Sequence, residues 1–259
     1  MPESVYVERD GAIATVVLNR PDKMNATTVD MWLRLGDAFR ALNADEAVRC
    51  IVLRGAGRKA FAAGADIGEF GKTRSDAKAA KAYSRQVGGT MHEIAHARHP
   101  TLALIHGACV GGGLELAALC DLRIAGESAR FGVPIKKLGL VVAYDEMAAL
   151  IALVGRATTL EILLEGRVFG AAEALAKGLV TRVVADDRLD EEAYAAARRI
   201  AEGAPLAARW HKKFARRLAD PRPLTEEEYD ESYACFETED FKEGAAAFLA
   251  KRAPQFRGR

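Results

Sequence analysis

The chain of 259 residues is predicted to fold as an α/β core followed by a helical C-terminal region. Three observations predict this. Short β-rich runs alternate with helical periodicity over the first two thirds of the sequence. From about Asp187 onward the periodicity is helical only. No low-complexity linker separates the two parts, so the tail is expected to pack on this chain or on another copy. The division is placed at residues 1–195 for the core and 196–259 for the helical region.

The elements follow in order. Ala12–Leu18 (AIATVVL) reads as a strand, stopped by Asn19, Arg20 and Pro21. Val29, Trp32, Leu33, Leu35, Phe39 and Leu42 recur at helical spacing. Cys50–Leu53 is a second short strand, and Arg54–Asp66 (RGAGRKAFAAGAD) a loop rich in glycine and alanine. Ser75–His99 reads as a helix ended by Pro100, and Thr101–His106 (TLALIH) as a buried strand. A glycine run then opens a short helix through Leu119, and Asp121–Ala125 is the next strand. Tyr144–Val154 and Thr158–Leu164 read as two helices separated by Gly155, and Val180–Val184 as a last strand. Asp190–Glu202, Pro205–Leu218, Thr225–Phe236 and Thr238–Arg252 make up the helical end. Thr238 is positioned as an N-cap with acids in the first turn.

Composition narrows the function classes. Lys and Arg number 37 against 36 Asp and Glu, so no excess charge points to nucleic acid or to an anionic membrane. The basic stretch Arg209–Arg217 (RWHKKFARR) reads as the polar side of a helix. Cys50, Cys109, Cys120 and Cys235 form no CxxC pair and lie in or beside apolar runs, as reduced core thiols of a cytoplasmic protein would. The first residues carry neither a secretory nor a mitochondrial presequence pattern. The longest apolar stretches, around Thr101–Val110 and Met147–Val154, are shorter than the roughly 20 residues a bilayer requires. A cytoplasmic location, with no membrane partner, is therefore expected.

The stretch most suggestive of chemistry is Cys109–Asp121 (CVGGGLELAALCD). Three consecutive glycines cost backbone entropy, which close approach of another molecule to the backbone would justify. Glu115 follows as the only Asp, Glu, Lys or Arg between Arg98 and Asp121. A lone acid in an apolar segment must be paired, neutralised or used. Gly111–Gly113 would start a helix, where unpaired N–H groups favour negative charge and a carbonyl could become an oxyanion. A tight strand-to-helix turn with an acid in its first turn accounts for the same residues. Ala62–Asp66 (AAGAD) is a second small-residue segment, or a surface turn. Tyr144, Asp145 and Glu146 cluster where an apolar loop becomes a helix, a place that also suits acids as caps. His92-Glu93-Ile94-Ala95-His96 matches H-E-x-x-H, with Glu115 19 residues after His96 as a third ligand, which gives a zinc hydrolase as a competing reading.

Taken in order, these pieces resemble the enoyl-CoA hydratase/isomerase, or crotonase, family. Leu18–Ala26 (LNRPDKMNA) is similar to its first strand and turn, and Ala60–Phe70 (AFAAGADIGEF) to its acyl-CoA loop. His106–Pro134 is the densest match, and Leu164–Val184 and Thr238–Arg259 extend the resemblance nearly end to end. The resemblance implies a crotonase-like spiral of ββα repeats with a C-terminal helical region that mediates trimerisation, assembled as a trimer or a dimer of trimers. It implies an acyl-CoA thioester as substrate, its carbonyl held between the N–H groups of Ala65 and Gly112, with Glu115 as acid/base. Ala63, Asp66 and Ile67 would lie along the coenzyme A moiety, and Arg20 or Lys23 would meet its phosphates. Phe248 and Lys251 match positions that reach a neighbouring subunit's ligand. No metal and no separate cofactor are implied, since coenzyme A arrives with the substrate.

At one position the sequence departs from the family pattern. Family hydratases carry a second glutamate just after the Phe-Gly-x-Pro segment, and here Phe131-Gly132-Val133-Pro134 is followed by Ile135. Hydration uses two carboxylates on one water. Three readings follow. Glu115 works with Tyr144, Asp145 or Glu146 in isomerisation, decarboxylation or other lyase chemistry; it shuttles a proton alone; or the protein binds acyl-CoA with little turnover.

Overall fold

The computed structural model describes residues 3–259. In chain order the strands are β1 (Val5–Asp10), β2 (Ile13–Leu18), β3 (Cys50–Gly55), β4 (Ala60–Ala62), β5 (Thr101–Ile105), β6 (Ala108–Val110), β7 (Leu122–Gly126), β8 (Arg130–Gly132), β9 (Phe169–Gly170) and β10 (Arg182–Val184). The helices are α1 (Val29–Ala44), the short α2 (Phe70–Thr73), α3 (Ala77–Ala95), α4 (Gly112–Leu119), α5 (Tyr144–Glu165), α6 (Ala171–Ala176), α7 (Leu189–Ala201), α8 (Pro205–Arg217), α9 (Glu226–Glu231) and α10 (Glu239–Leu249).

Three successive units, β3-β4, β5-β6 and β7-β8, each place their first strand in one sheet and their second in another before the chain turns into helix. The larger sheet has the order β1-β2-β3-β5-β7-β10 and the smaller β4-β6-β8-β9. Within both sheets the repeating strands pair in parallel, Leu53 with Ala103 and Ala103 with Arg123 in the first, Cys109 with Phe131 in the second. The result is a rising superhelix of ββα turns, the fold expected from the sequence.

Side-chain alternation gives the large sheet two cores. Val52, Leu102, Leu104 and Ile124 pack on Leu189, Ala193 and Ala197 of α7. Val16, Ile51, Leu53, Ala103 and Ile105 face the larger cluster that holds Met31, Leu35 and Phe39 of α1 and Leu114 and Leu116 of α4. Because both faces are covered, the strands read as continuous apolar runs rather than alternating ones. Residue 195 falls inside α7, whose Leu189, Ala193 and Ala197 pack on the large sheet.

The tail differs from its sequence reading in one respect. The basic stretch in α8 docks the tail onto the core as well as facing water. Arg209 pairs with Glu46 (2.8 Å), Lys212 with Asp121 (2.7 Å), and Arg216 donates to the Ala95 carbonyl (3.1 Å). The Lys212 ammonium also donates to the His99 carbonyl (2.7 Å). Thr238 caps α10 as expected, accepting from the Phe241 N–H at 3.0 Å. By length and composition α5 is apolar enough to cross a bilayer, a property the sequence reading assigned to no segment. Gly155 (φ 77°, ψ 165°) interrupts it, leaving the two helices foreseen on either side.

Candidate active site

Two segments of the fold come together, each with one backbone N–H from which, among the described residues, no backbone carbonyl accepts. The first is Ala63–Asp66, at the end of β4. The turn after β2 holds it from one side: Ala63 N–H donates to the Met24 carbonyl (3.0 Å), Thr27 N–H to the Gly64 carbonyl (2.8 Å), and Asp66 N–H to the Thr27 carbonyl (2.9 Å). Asn25 locks that turn, donating to the Ala60 carbonyl (2.8 Å) and accepting from the Arg20 N–H (3.0 Å). In an extended segment neighbouring N–H groups point to opposite sides. Asp66 donates toward Thr27, so the Ala65 N–H faces the other way, and among the described residues no backbone carbonyl accepts from it.

The second segment is the glycine run, where each glycine answers a different constraint. Gly111 adopts φ 55° and ψ −126°, a region closed to residues with a Cβ, and turns β6 into α4. Gly112 is the first residue of α4, and its N–H has no intrahelical partner. A Cβ built on it would lie 3.7 Å from both the Ala65 nitrogen and the Glu115 Oε2, so bare space beside Gly112 borders both groups. Gly113 is pressed against β4, where a Cβ would collide with the Ala62 carbonyl. Close packing at Gly113 thus sets the distance between the two N–H groups.

Glu115, one helical turn on, is 7% exposed and points into the same cavity of about 480 Å³. The cavity is bounded by Ala63–Ala65, by Val110–Gly112, by one face of α3 and by the loop that leads into α5. Burial pushes the Glu115 carboxyl up to about 8; the Glu146 carboxylate adds to the rise and the Arg74 guanidinium opposes it. An acid tuned into that range can both give and take a proton near neutral pH.

The predicted residues divide cleanly. Ala63, Ala65, Ile67, Gly112, Glu115 and Ile135 line the one cavity. Of the three candidates for a second acid, Glu146 lines it, and its Oε2 is oriented by the Ala143 N–H at 2.9 Å. Tyr144 is 91% exposed and Asp145 lies against Gly88 of α3, so helical geometry turns both away from the cavity that their neighbour Glu146 faces. Asp66 caps the turn that follows it and pairs with Arg20 at 2.9 Å. The Gly68 N–H first, and Arg20 next, hold its carboxyl below the usual range. Lys23 is exposed beside it. Phe248 (84% exposed) and Lys251 sit at the end of α10, outside this cavity.

The H-E-x-x-H segment takes no part. The His92 and His96 rings stack at 3.9 Å near the C-terminus of α3, and His96 Nδ1 lies 3.0 Å from the His92 carbonyl. Neither histidine lines the cavity that holds Glu115, and among the described residues no three His, Cys, Asp or Glu side chains converge on a metal-sized point. Arg74, which sequence reasoning did not single out, does line the cavity. No local motif marks it, because its place depends on how α2 meets α3.

A spiral of ββα turns with facing backbone N–H groups beside a buried acid defines the class, and comparison with known proteins gives the family. Residues 8–259 match the enoyl-CoA hydratase/isomerase family model. An enoyl-CoA hydratase/carnithine racemase of Magnetospirillum magneticum is 51% identical and superposes with a TM-score of 0.98 over 100% of this chain and 97% of that one. An enoyl-CoA hydratase of Bacillus anthracis is 29% identical with a TM-score of 0.93, over 99% and 100% of the two chains. A crotonyl-CoA hydratase of Syntrophomonas wolfei is 36% identical over 256 residues, 98% of each chain. The chain belongs to the enoyl-CoA hydratase/isomerase family.

Proposed function

We propose that this protein is an enzyme acting on an acyl-coenzyme A thioester, and that it adds water reversibly across the 2,3 double bond of a 2-enoyl-CoA. The observation that carries this reading is a buried acid, Glu115, at one cavity with two unengaged N–H groups and a second carboxylate, Glu146. The thioester oxygen is bound by Ala65 and Gly112 N–H, which stabilise it most when it carries enolate charge. The Glu146 carboxylate takes a proton from water as the water oxygen bonds to the β-carbon. The electron pair of the double bond moves onto the thioester oxygen. Collapse of that enolate takes the proton of the Glu115 carboxyl onto the α-carbon. One hydrogen and one hydroxyl are added, and proton exchange between the carboxyls restores the starting state. Glu146 thereby does from α5 what the family's second glutamate does from the position held here by Ile135.

Coenzyme A lies along Ala63–Ile67 in this reading, with Lys23 free to meet its phosphates while Arg20 is occupied by Asp66. Homo-oligomerisation as a trimer or a dimer of trimers, in the cytoplasm, completes it. The apolar side chains left bare on the tail support an assembly: Phe248 and Leu249 are 84% and 83% exposed, beside Tyr233, Phe236 and Phe241. In such an assembly Phe248 and Lys251 reach a neighbour's ligand.

The test is Glu146→Gln, assayed on crotonyl-CoA for hydration and on a 3-enoyl-CoA for double-bond migration. Hydration is expected to fall by roughly 10²-fold or more, with binding of the thioester retained in calorimetry. Hydration at the wild-type rate would show that Glu146 plays no part. Loss of neither activity, with double-bond migration dominant, would favour Glu115 shuttling a proton alone. Binding of thioesters without turnover by the wild-type protein would favour a binding role.

Gly112→Ala separates the site from the fold. The added methyl meets no protein atom closer than 3.7 Å, so thermal stability should stay near wild type. It fills the space assigned to the thioester oxygen, so kcat/KM should fall by roughly 10²-fold. Full activity in this variant would place the carbonyl elsewhere.

A further inference from the structure

The cavity contains a positive charge that the proton transfers do not use. Arg74 follows α2, and its guanidinium lies 4.4 Å from the ring centres of both Phe70 and Tyr83. Of the arginines before it in the chain, Arg9, Arg20, Arg34, Arg40, Arg54 and Arg58 each pair with a carboxylate and Arg49 donates to two backbone carbonyls, whereas among the described residues Arg74 makes no ion pair. It lines the cavity together with Ala80, Val87, Leu138 and Leu140. The two flanking rings limit the freedom it has to lose when it binds.

Resting on the acyl-CoA reading above, we infer that Arg74 is a specificity-determining residue for an acyl group that ends in a carboxylate. The preferred substrate is a 2-enoyl-CoA whose far end is anionic rather than a plain hydrocarbon chain.

Two physical considerations carry this. A hydrocarbon tail entering the cavity would strip water from the guanidinium and give nothing in return, which disfavours such chains. A carboxylate replaces that water with paired, charge-assisted hydrogen bonds in the planar geometry that guanidinium matches. The location argues for the acyl end and against the nucleotide end of the ligand. The charge of Arg74 is felt at Glu115, the proton-transfer residue, while Lys23 and Arg20 stand on the opposite side of the Ala63–Ile67 segment, by the turn after β2.

The experiment compares kcat/KM for glutaconyl-CoA and 2-hexenedioyl-CoA with that for 2-pentenoyl-CoA and 2-hexenoyl-CoA of matched length. The proteins are wild type, Arg74→Met and Arg74→Lys, with circular dichroism and melting curves to confirm that each is folded. The wild type should favour the carboxylated member of at least one pair by roughly 10-fold or more. Arg74→Met should abolish or invert that preference, and Arg74→Lys should restore part of it. Dephospho-CoA thioesters of the same acids serve as a further arm. If Arg74 instead met the coenzyme's phosphates, Arg74→Met would weaken all CoA thioesters equally and leave the ratio unchanged, which overturns the inference. A wild-type preference for the uncharged members also overturns it while leaving the acyl-CoA reading intact. Turnover and binding of neither series would overturn both.

Discussion

Replacing Glu115 by glutamine is expected to lower turnover of the 2-enoyl-CoA substrate roughly 10³-fold while leaving thioester affinity within a few-fold of wild type. Glutamine keeps the volume and much of the polarity of the side chain but cannot exchange a proton with the α-carbon. The same substitution has a stability signature that a packing role would not produce. In the folded protein the Glu115 carboxyl is raised to about 8 by burial and then by Glu146. In the unfolded chain it ionises near 4.5, the ordinary value. Between those values the unfolded state holds fewer protons than the folded one, so Glu115 destabilises the fold increasingly as pH rises from about 4.5 to about 8. Below this window both states are protonated and nothing is lost; above it the penalty is complete. Glu115→Gln removes the penalty, so its melting temperature should exceed that of wild type by several degrees at pH 9 and by little at pH 5. A gap that does not change with pH would mean that the carboxyl is not held in its protonated form by burial.

The other large effect is expected at Gly113. An alanine there places a methyl against the Ala62 carbonyl, which is backbone and cannot rotate away. Either α4 backs off from β4 or the β4 segment moves, and both alter the separation of the Ala65 and Gly112 N–H groups. Overpacking at such a junction costs about 3 kcal/mol, so the melting temperature should drop by roughly 6–12 °C. Activity should fall together with stability. Gly112→Ala one residue earlier should melt like wild type and still lose activity, so the pair separates a glycine held by packing from one kept for a ligand. Equal melting temperatures for the two variants would contradict the assignment at Gly113.

Much of this site was legible in the sequence because its key parts are local. Gly111–Gly113 and Glu115 form one strand-to-helix junction within the run Cys109–Leu119, although its place against β4 is set by contact with Ala62. The long helices and the buried strands of the large sheet were likewise legible from period and apolar content. The strands β4, β6, β8 and β9 were not, being two or three residues long, too short for any periodicity to show. The hairpin strand β1 was also missed, since its last four residues are exposed and three of them, Glu8, Arg9 and Asp10, are charged. The choice among Tyr144, Asp145 and Glu146 was out of reach for another reason. Successive helical residues point about 100° apart, and the phase of α5 against the cavity is set by tertiary packing. Arg74 carried no signal at all, because its meaning lies in the side chains that α2 and α3 bring around it.

The most direct measurement is a crystal structure of the Glu115→Gln variant with crotonyl-CoA bound. The thioester oxygen should lie about 3 Å from both the Ala65 and the Gly112 nitrogens, with residue 115 beside the α-carbon and Glu146 on the side of the β-carbon. A thioester carbonyl bound away from these two N–H groups, or an acyl chain outside the cavity that holds residue 115, would contradict the proposed chemistry.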